Sequence, residues 1–162
     1  MDTRIQSSQS LAAAITKSAS KQTYYTIRFF ADRDRIADAY RAYGYFRWVD
    51  DVIDEESGPG TREARSAFVS RQQRLLESCY RGEIPNDPCP EEWMLVDLIR
   101  NDAEKNSGLQ IYLRNMMDVM IFDAGRRGRV ISQAELSEYA AVHQEDNAKA
   151  PKRIKRGMTA ST

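Results

Sequence analysis

The 162 residues carry 24 Lys and Arg against 24 Asp and Glu, so the formal charge is zero. A chain of this length is expected to form one domain with a buried core, and 41% hydrophobic with 30% charged residues is the ordinary balance of a soluble globule. Zero net charge excludes a global field that would draw nucleic acid or anionic lipid, and two cysteines, Cys79 and Cys89, exclude a disulfide framework or a Cys/His zinc site.

The N-terminal apolar patch, Leu11 to Ile15, is too short for a signal-peptide core or a membrane span. A cytoplasmic protein with reduced thiols is the expectation. In chain order, helical spacing predicts a first helix over Leu11 to about Ser18 and a short one over Lys21 to Phe30. A long helix starts near Asp32 or Asp34, either of which could serve as N-cap, and runs to about Glu55. "ESGPG" breaks it, and Thr61 caps a helix through Phe68, Leu75, Leu76 and Tyr80. "GEIPNDPCP" is a loop. Glu91 to about Asn101 is helical, Gly108 breaks the chain again, and Leu109 to about Ala124 forms a further helix. "GRRGR" follows as a polar loop, and Ser132 with Glu135 makes a capping box that opens a helix through Leu136 and Tyr139. Strand signals are scarce. The fold class is therefore all-α, with about six to seven helices and a disordered basic C-terminal tail.

The tail starts after Ala141. It holds Lys149, Lys152, Arg153, Lys155 and Arg156 against Glu145 and Asp146, with almost no apolar periodicity. A solvated, disordered segment is the plain reading. A basic arm for nucleic acid or a membrane surface would rest on composition alone, and no nucleic acid is expected as a partner.

"YFRWVDDVIDE", Tyr45 to Glu55, mixes large apolar groups with four carboxylates. On a helix, Ile36, Tyr40, Tyr43, Arg47, Asp50 and Asp54 fall three or four residues apart and share one stripe. Phe46, Val49 and Ile53 form a neighbouring apolar stripe, and Tyr45, Trp48 and Val52 make the far side apolar as well. A helix apolar nearly all round is usually buried, so Asp50 and Asp54 are expected to face inward near one end of a bundle. Two inward carboxylates at i and i+4 repel unless a cation lies between them. Hard divalent cations prefer carboxylate oxygen, and Mg²⁺ commonly takes one or two carboxylates plus substrate phosphates. A wet, acidic helix end is the alternative, although carboxylates there oppose the helix dipole.

"SKQTYYTIRFFADRDRIADAYRAYGYFRWVDDVIDE" resembles the N-terminal signature of the squalene and phytoene synthases, all-α head-to-head prenyltransferases with an isoprenoid-synthase-like helical bundle. The matching pattern is Tyr43, Arg47, Asp50 and Asp54. "YLRNMMDVMIFDAGRRGRVISQAELSEYA" is similar to a later family segment, with Asp123, Glu135, Leu136 and Tyr139 matching. The likeness covers roughly Ser20 to Ala141, which sets the expected organisation: a lead-in over 1–19, the family-like domain over 20–141, and an atypical basic tail over 142–162.

The resemblance implies Mg²⁺-dependent condensation of two prenyl diphosphates, such as farnesyl or geranylgeranyl diphosphate, in sterol- or carotenoid-type lipid biosynthesis. It leaves NADPH open. By position it implies that Asp50 and Asp54 are metal ligands and that Arg47 holds diphosphate oxygens. It makes Tyr43 a catalytic residue that lines the site and steadies developing charge, and Tyr24 and Tyr139 substrate-binding residues. Core packing is the plain alternative for the last two. A lipid product implies peripheral membrane association. The family also needs a second aspartate motif, and none follows Ala141. The expectation is an N-terminal half of the family domain, inactive alone. A non-catalytic assembly or partner-binding protein of the same fold is the alternative, and the Tyr43–Arg47 lead-in and "AELSEY" weigh against a head-to-tail synthase or terpene cyclase.

Overall fold

A computed structural model describes residues 3–33, 35–54, 61–83, 86–102, 104 and 106–126, all within the first of two units, Met1–Gly128. They form six α-helices: α1 (Thr3–Ala19), α2 (Lys21–Phe30), α3 (Ile36–Asp54), α4 (Arg62–Tyr80), α5 (Glu92–Arg100) and α6 (Gly108–Arg126). Among the described residues there is no strand, as the all-α expectation requires. The helix expected after Ser132, Tyr139 and the basic tail lie outside the described residues.

Local chemistry sets most boundaries. Ser20 and Thr61 cap α2 and α4, each hydroxyl accepting from the backbone N–H three residues on, at Thr23 and Ala64, both at 3.1 Å. Helix α4 stops at Tyr80, and Gly82 just beyond it has a φ of +79°, the left-handed conformation that glycine adopts without strain. The Glu83 and Gly82 N–H groups then return to the Ser78 and Cys79 carbonyls at 2.9 and 3.0 Å, the double bond of a glycine-terminated helix. Three helices differ from expectation at their boundaries. Helix α6 starts on Gly108, read as a break, and runs to Arg126, two residues into the segment read as a polar loop. Helix α1 begins eight residues earlier than Leu11, at Thr3. Helix α3 begins at Ile36, with a backbone bond from the Arg35 N–H to the Asp32 carbonyl leading into it.

Helix α3 is the centre of the bundle and meets α1, α2, α5 and α6. Its approach to α1 is close enough that a Cβ on Gly44 would lie 3.1 Å from the Ala12 Cα and 3.2 Å from its carbonyl oxygen. The core joins Tyr45, Phe46, Val49 and Ile53 of α3 to Val69, Leu75 and Leu76 of α4, to Met94, Leu95 and Leu98 of α5, and to Leu113, Met117 and Met120 of α6. Phe46, Val49 and Ile53 are the apolar stripe predicted for α3, and Leu75 and Leu76 are among the residues predicted for α4.

Two buried polar clusters tie the helices together. In the first, the Glu92 carboxylate accepts both arms of the Arg71 guanidinium at 2.9 Å, the Gln72 amide at 2.9 Å and the Cys89 N–H at 3.1 Å. The Tyr45 hydroxyl donates to the other end of Gln72 at 3.1 Å, so α3, α4 and α5 share one network. In the second, the Ser8 hydroxyl donates to Asp97 and accepts from the Arg41 Nε at 3.3 Å, while Arg41 also pairs with Asp38 at 3.0 Å. Ser8, Arg41 and Asp97 are all buried, on α1, α3 and α5.

Candidate functional site

The last two turns of α3 carry the acidic residues. Their backs are fixed by the core, since Phe46, Val49 and Ile53 are at most 4% exposed. That anchoring leaves Arg47, Asp50 and Asp54 on the neighbouring margin of the helix. Arg47 donates to Asp50 at 3.2 Å and through its second arm to Asp51. This is a local fork made by i, i+3 and i, i+4 spacing.

The inward orientation expected for the two aspartates is corrected. Asp50 is half-buried, and Asp54 is exposed at the end of the helix. The Arg47 side chain is itself 42% exposed, so the fork draws Asp50 and Asp51 toward the solvated margin. The stripe thus divides along its length: Tyr40 is buried, Tyr43 is half-buried, and the charged residues beyond it reach water.

Asp50 nonetheless feels its surroundings. Burial raises its carboxyl above the ordinary 3.8, and Asp54 adds to that. Arg47 opposes the rise, while Asp51 and Asp123 increase it further. Asp123 lies on α6, sixty-nine residues beyond Asp54. The two sequence blocks singled out separately therefore meet, with the end of α6 bringing a carboxylate into the field of α3.

Arg47 is paired with Asp50 and Asp51, and the charges of Asp54 and Asp123 also act on Asp50. Among the described residues no three such side chains converge closely enough to enclose a metal ion by themselves. The arrangement fits an open site, where a ligand brings part of the oxygen shell, better than a closed protein cage.

The aromatic residues are placed differently. Tyr24 stacks on Tyr40 with ring centroids 5.1 Å apart, and the Tyr40 hydroxyl donates to the Tyr24 carbonyl at 3.0 Å. Tyr24 therefore locks α2 onto α3 about 15 Å along the helix axis from Asp50. Tyr43 stands one turn before Arg47 and is half-buried. Tyr139 lies outside the described residues.

A cleft of about 920 Å³ opens near the start of α3, lined by Arg35, Asp38, Asn101, Asp102, Ser107 and Tyr112 among others. Its charged walls make it a poor bed for a hydrocarbon chain. Between this cleft and Asp50, Phe46 packs edge-on against Tyr112 at 6.1 Å and fills the space between α3 and α6.

A family model described as squalene/phytoene synthase matches residues 16–142, most of the chain, and the protein belongs to that family. Membership places it with the prenyltransferases of isoprenoid biosynthesis, whose substrates are prenyl diphosphates. No curated protein and no solved structure matches the chain. Among the described residues no helix is long and apolar enough to cross a membrane.

Proposed function

We propose that the C-terminal end of α3 is one side of a magnesium–diphosphate clamp, and that the family reaction is the head-to-head joining of two farnesyl or geranylgeranyl diphosphates. The observation that carries this reading is the grouping of Asp50, Asp51 and Asp54 on the last two turns of α3, with one guanidinium, Arg47, forked to the first two; burial and the neighbouring carboxylates raise the Asp50 carboxyl in keeping with it. A structural carboxylate would be satisfied by its neighbours. Asp50 shares its guanidinium with Asp51, and a divalent cation would relieve the repulsion that remains.

Asp50 and Asp54 would hold the cation, one helical turn apart. When bound, Mg²⁺ would supply Lewis-acid neutralisation of the diphosphate, making it a better leaving group. Arg47 is forked toward Asp50 and Asp51 and exposed enough to turn one arm to a diphosphate oxygen. Tyr43 would face the carbon end of the substrate, where its ring can steady developing positive charge. Tyr24 supports the site through α2 and Tyr40, and Tyr139 would complete the diphosphate side.

The 162 residues carry this first aspartate motif and no second one after Ala141. The proposal is therefore that this chain binds metal and diphosphate but does not turn over. Thermal melts with Mg²⁺ and a non-hydrolysable farnesyl diphosphate analogue test the clamp. A rise in melting temperature that needs both components, and that Asp50→Ala abolishes, is the expected result. An equal rise in Asp50→Ala, or none in the folded wild type, would favour the assembly-protein alternative. Release of pyrophosphate from farnesyl diphosphate by the purified chain would overturn the claim of inactivity.

A further inference from the structure

We propose that Tyr112 is the stop that sets the length of the prenyl chain, so that the seam between α3 and α6 takes a farnesyl chain but not a geranylgeranyl one. The inference rests on the reading of Asp50 as the diphosphate end, and gives that site a direction and a length.

Two stripes meet along the seam. On α3, Ala39, Tyr43, Phe46 and Asp50 stand at i, i+4, i+7 and i+11. On α6, Tyr112, Met116, Val119 and Asp123 repeat the same spacing. The rings of Phe46 and Tyr112 meet edge-on at 6.1 Å, and the charge of Asp123 acts on Asp50. The stripes therefore run side by side, each toward an aspartate at the same end. The other flank of α6 is taken by α4, where Arg114 pairs with Glu77 at 2.9 Å.

Between the aspartates and Tyr112 both stripes are apolar. Tyr43, Met116 and Val119 are each half-buried, and Phe46 is buried. The character changes at Tyr112, which is 43% exposed and lines the polar cleft beside Arg35, Asp38 and Asp102. Ala39 lines the same cleft from α3. A hydrocarbon chain that passed this point would strip water from charged groups and offer them no hydrogen bond in return. Tyr112 is thus an obstacle at the border between an apolar seam and a polar cleft.

Length decides between the two substrates. Asp123 is eleven residues from Tyr112, and Asp50 is eleven from Ala39. At about 1.5 Å per residue that is about 16 Å of seam. With carbon–carbon bonds of roughly 1.5 Å, an extended farnesyl chain reaches about 14 Å and a geranylgeranyl chain about 19 Å. The first ends before Tyr112, and the second runs into it.

The test is calorimetric titration of the full chain, with Mg²⁺ present. The ligands are pyrophosphate and non-hydrolysable geranyl, farnesyl and geranylgeranyl diphosphate analogues. Affinity should rise from pyrophosphate to the farnesyl analogue, and fall about tenfold for the geranylgeranyl one. Tyr112→Ala should remove that fall, whereas Tyr112→Phe, which keeps the ring, should retain it. Ala39→Leu narrows the same end from the other helix. It should weaken the farnesyl analogue about tenfold and leave the geranyl analogue unchanged. Pyrophosphate should bind all three variants as it binds the wild type. Wild-type binding of the geranylgeranyl analogue as tight as that of the farnesyl one would overturn the stop. So would a length preference that neither Tyr112→Ala nor Ala39→Leu alters. Prenyl analogues that bind no better than pyrophosphate would overturn the seam itself. The clamp fails separately, through pyrophosphate binding that Asp50→Ala leaves intact. In that case farnesol and geranylgeraniol, offered without metal, read the stop alone: a preference for farnesol that Tyr112→Ala removes would keep it, and no preference would discard it.

Discussion

Glu92 and Asp50 are both acidic residues on helices of one bundle, and their surroundings treat them in opposite ways. Glu92 is buried, yet four hydrogen bonds reach it, two of them from one guanidinium. Burial alone would raise its carboxyl, but Arg71, Gln72 and the Cys89 N–H hold it below the ordinary 4.5. Asp50 is less buried, has Arg47 shared with Asp51, and faces Asp54 and Asp123. Its carboxyl is raised. The first pattern is that of a carboxylate that completes a fold; the second is the pattern on which the proposed metal clamp rests.

The largest break in that comparison should come from Glu92→Ala. It strips an acceptor from Arg71, Gln72 and Cys89 at once. Because Arg71 is partly solvated, the expected loss is about 2–4 kcal/mol, or roughly 5–12 °C in melting temperature. Thermal and urea melts should agree on it. A loss under about 1 kcal/mol would mean that the network does not hold α4 to α5.

Acid titration of stability separates the two groups by sign. The folded-state value of Glu92 is depressed, so its stabilisation is complete above its unfolded value, near 4.5, and fades as pH falls through the lower folded value. The folded-state value of Asp50 is raised, so its ionisation penalty is absent below 3.8 and grows as pH rises through the folded value. Glu92→Gln should therefore flatten the acid limb. The advantage of Asp50→Asn over wild type should be larger at pH 7 than at pH 3. Parallel limbs for all three proteins would contradict both assignments.

Without metal, Asp50→Asn should stabilise the fold slightly, by up to about 1 kcal/mol, because the site is half-solvated and Arg47 keeps Asp51. Differential scanning calorimetry with chelator present would show a rise of about 1–3 °C. A clear fall would make Asp50 a structural residue like Glu92. The smallest effect belongs to Arg47→Gln, whose exposed pairs are worth about 0–1 kcal/mol and are screened by salt. Its melting temperature should move by less than about 2 °C, and a large drop would show that Arg47 holds the helix rather than a ligand.

Much of this was legible in the residues because it is local. Capping by Thr61, the span of α2 and the apolar stripes of α3 depend on neighbours a few positions apart. The start of α1 was not, since "TRIQSSQS" has no apolar face to declare a helix. Ser8 is buried there by pairing with Asp97 and Arg41, 89 and 33 residues away. Glu92 read as an ordinary residue at the start of a helix. Its partners arrive from α4, 20 and 21 residues earlier, and no spacing rule announces them. At the site, Tyr43, Arg47, Asp50 and Asp54 fell on one stripe as expected, but the stripe turns outward at its end. Periodicity fixes which residues share a face; what covers that face depends on other helices.

The most direct test is calorimetric titration of Mg²⁺ into the 162-residue chain saturated with inorganic pyrophosphate, beside Asp50→Asn/Asp54→Asn. The account predicts saturable heat for the wild type, none above background for the folded double variant, and little in either without pyrophosphate. Equal binding by the two proteins would show that the end of α3 is not the clamp.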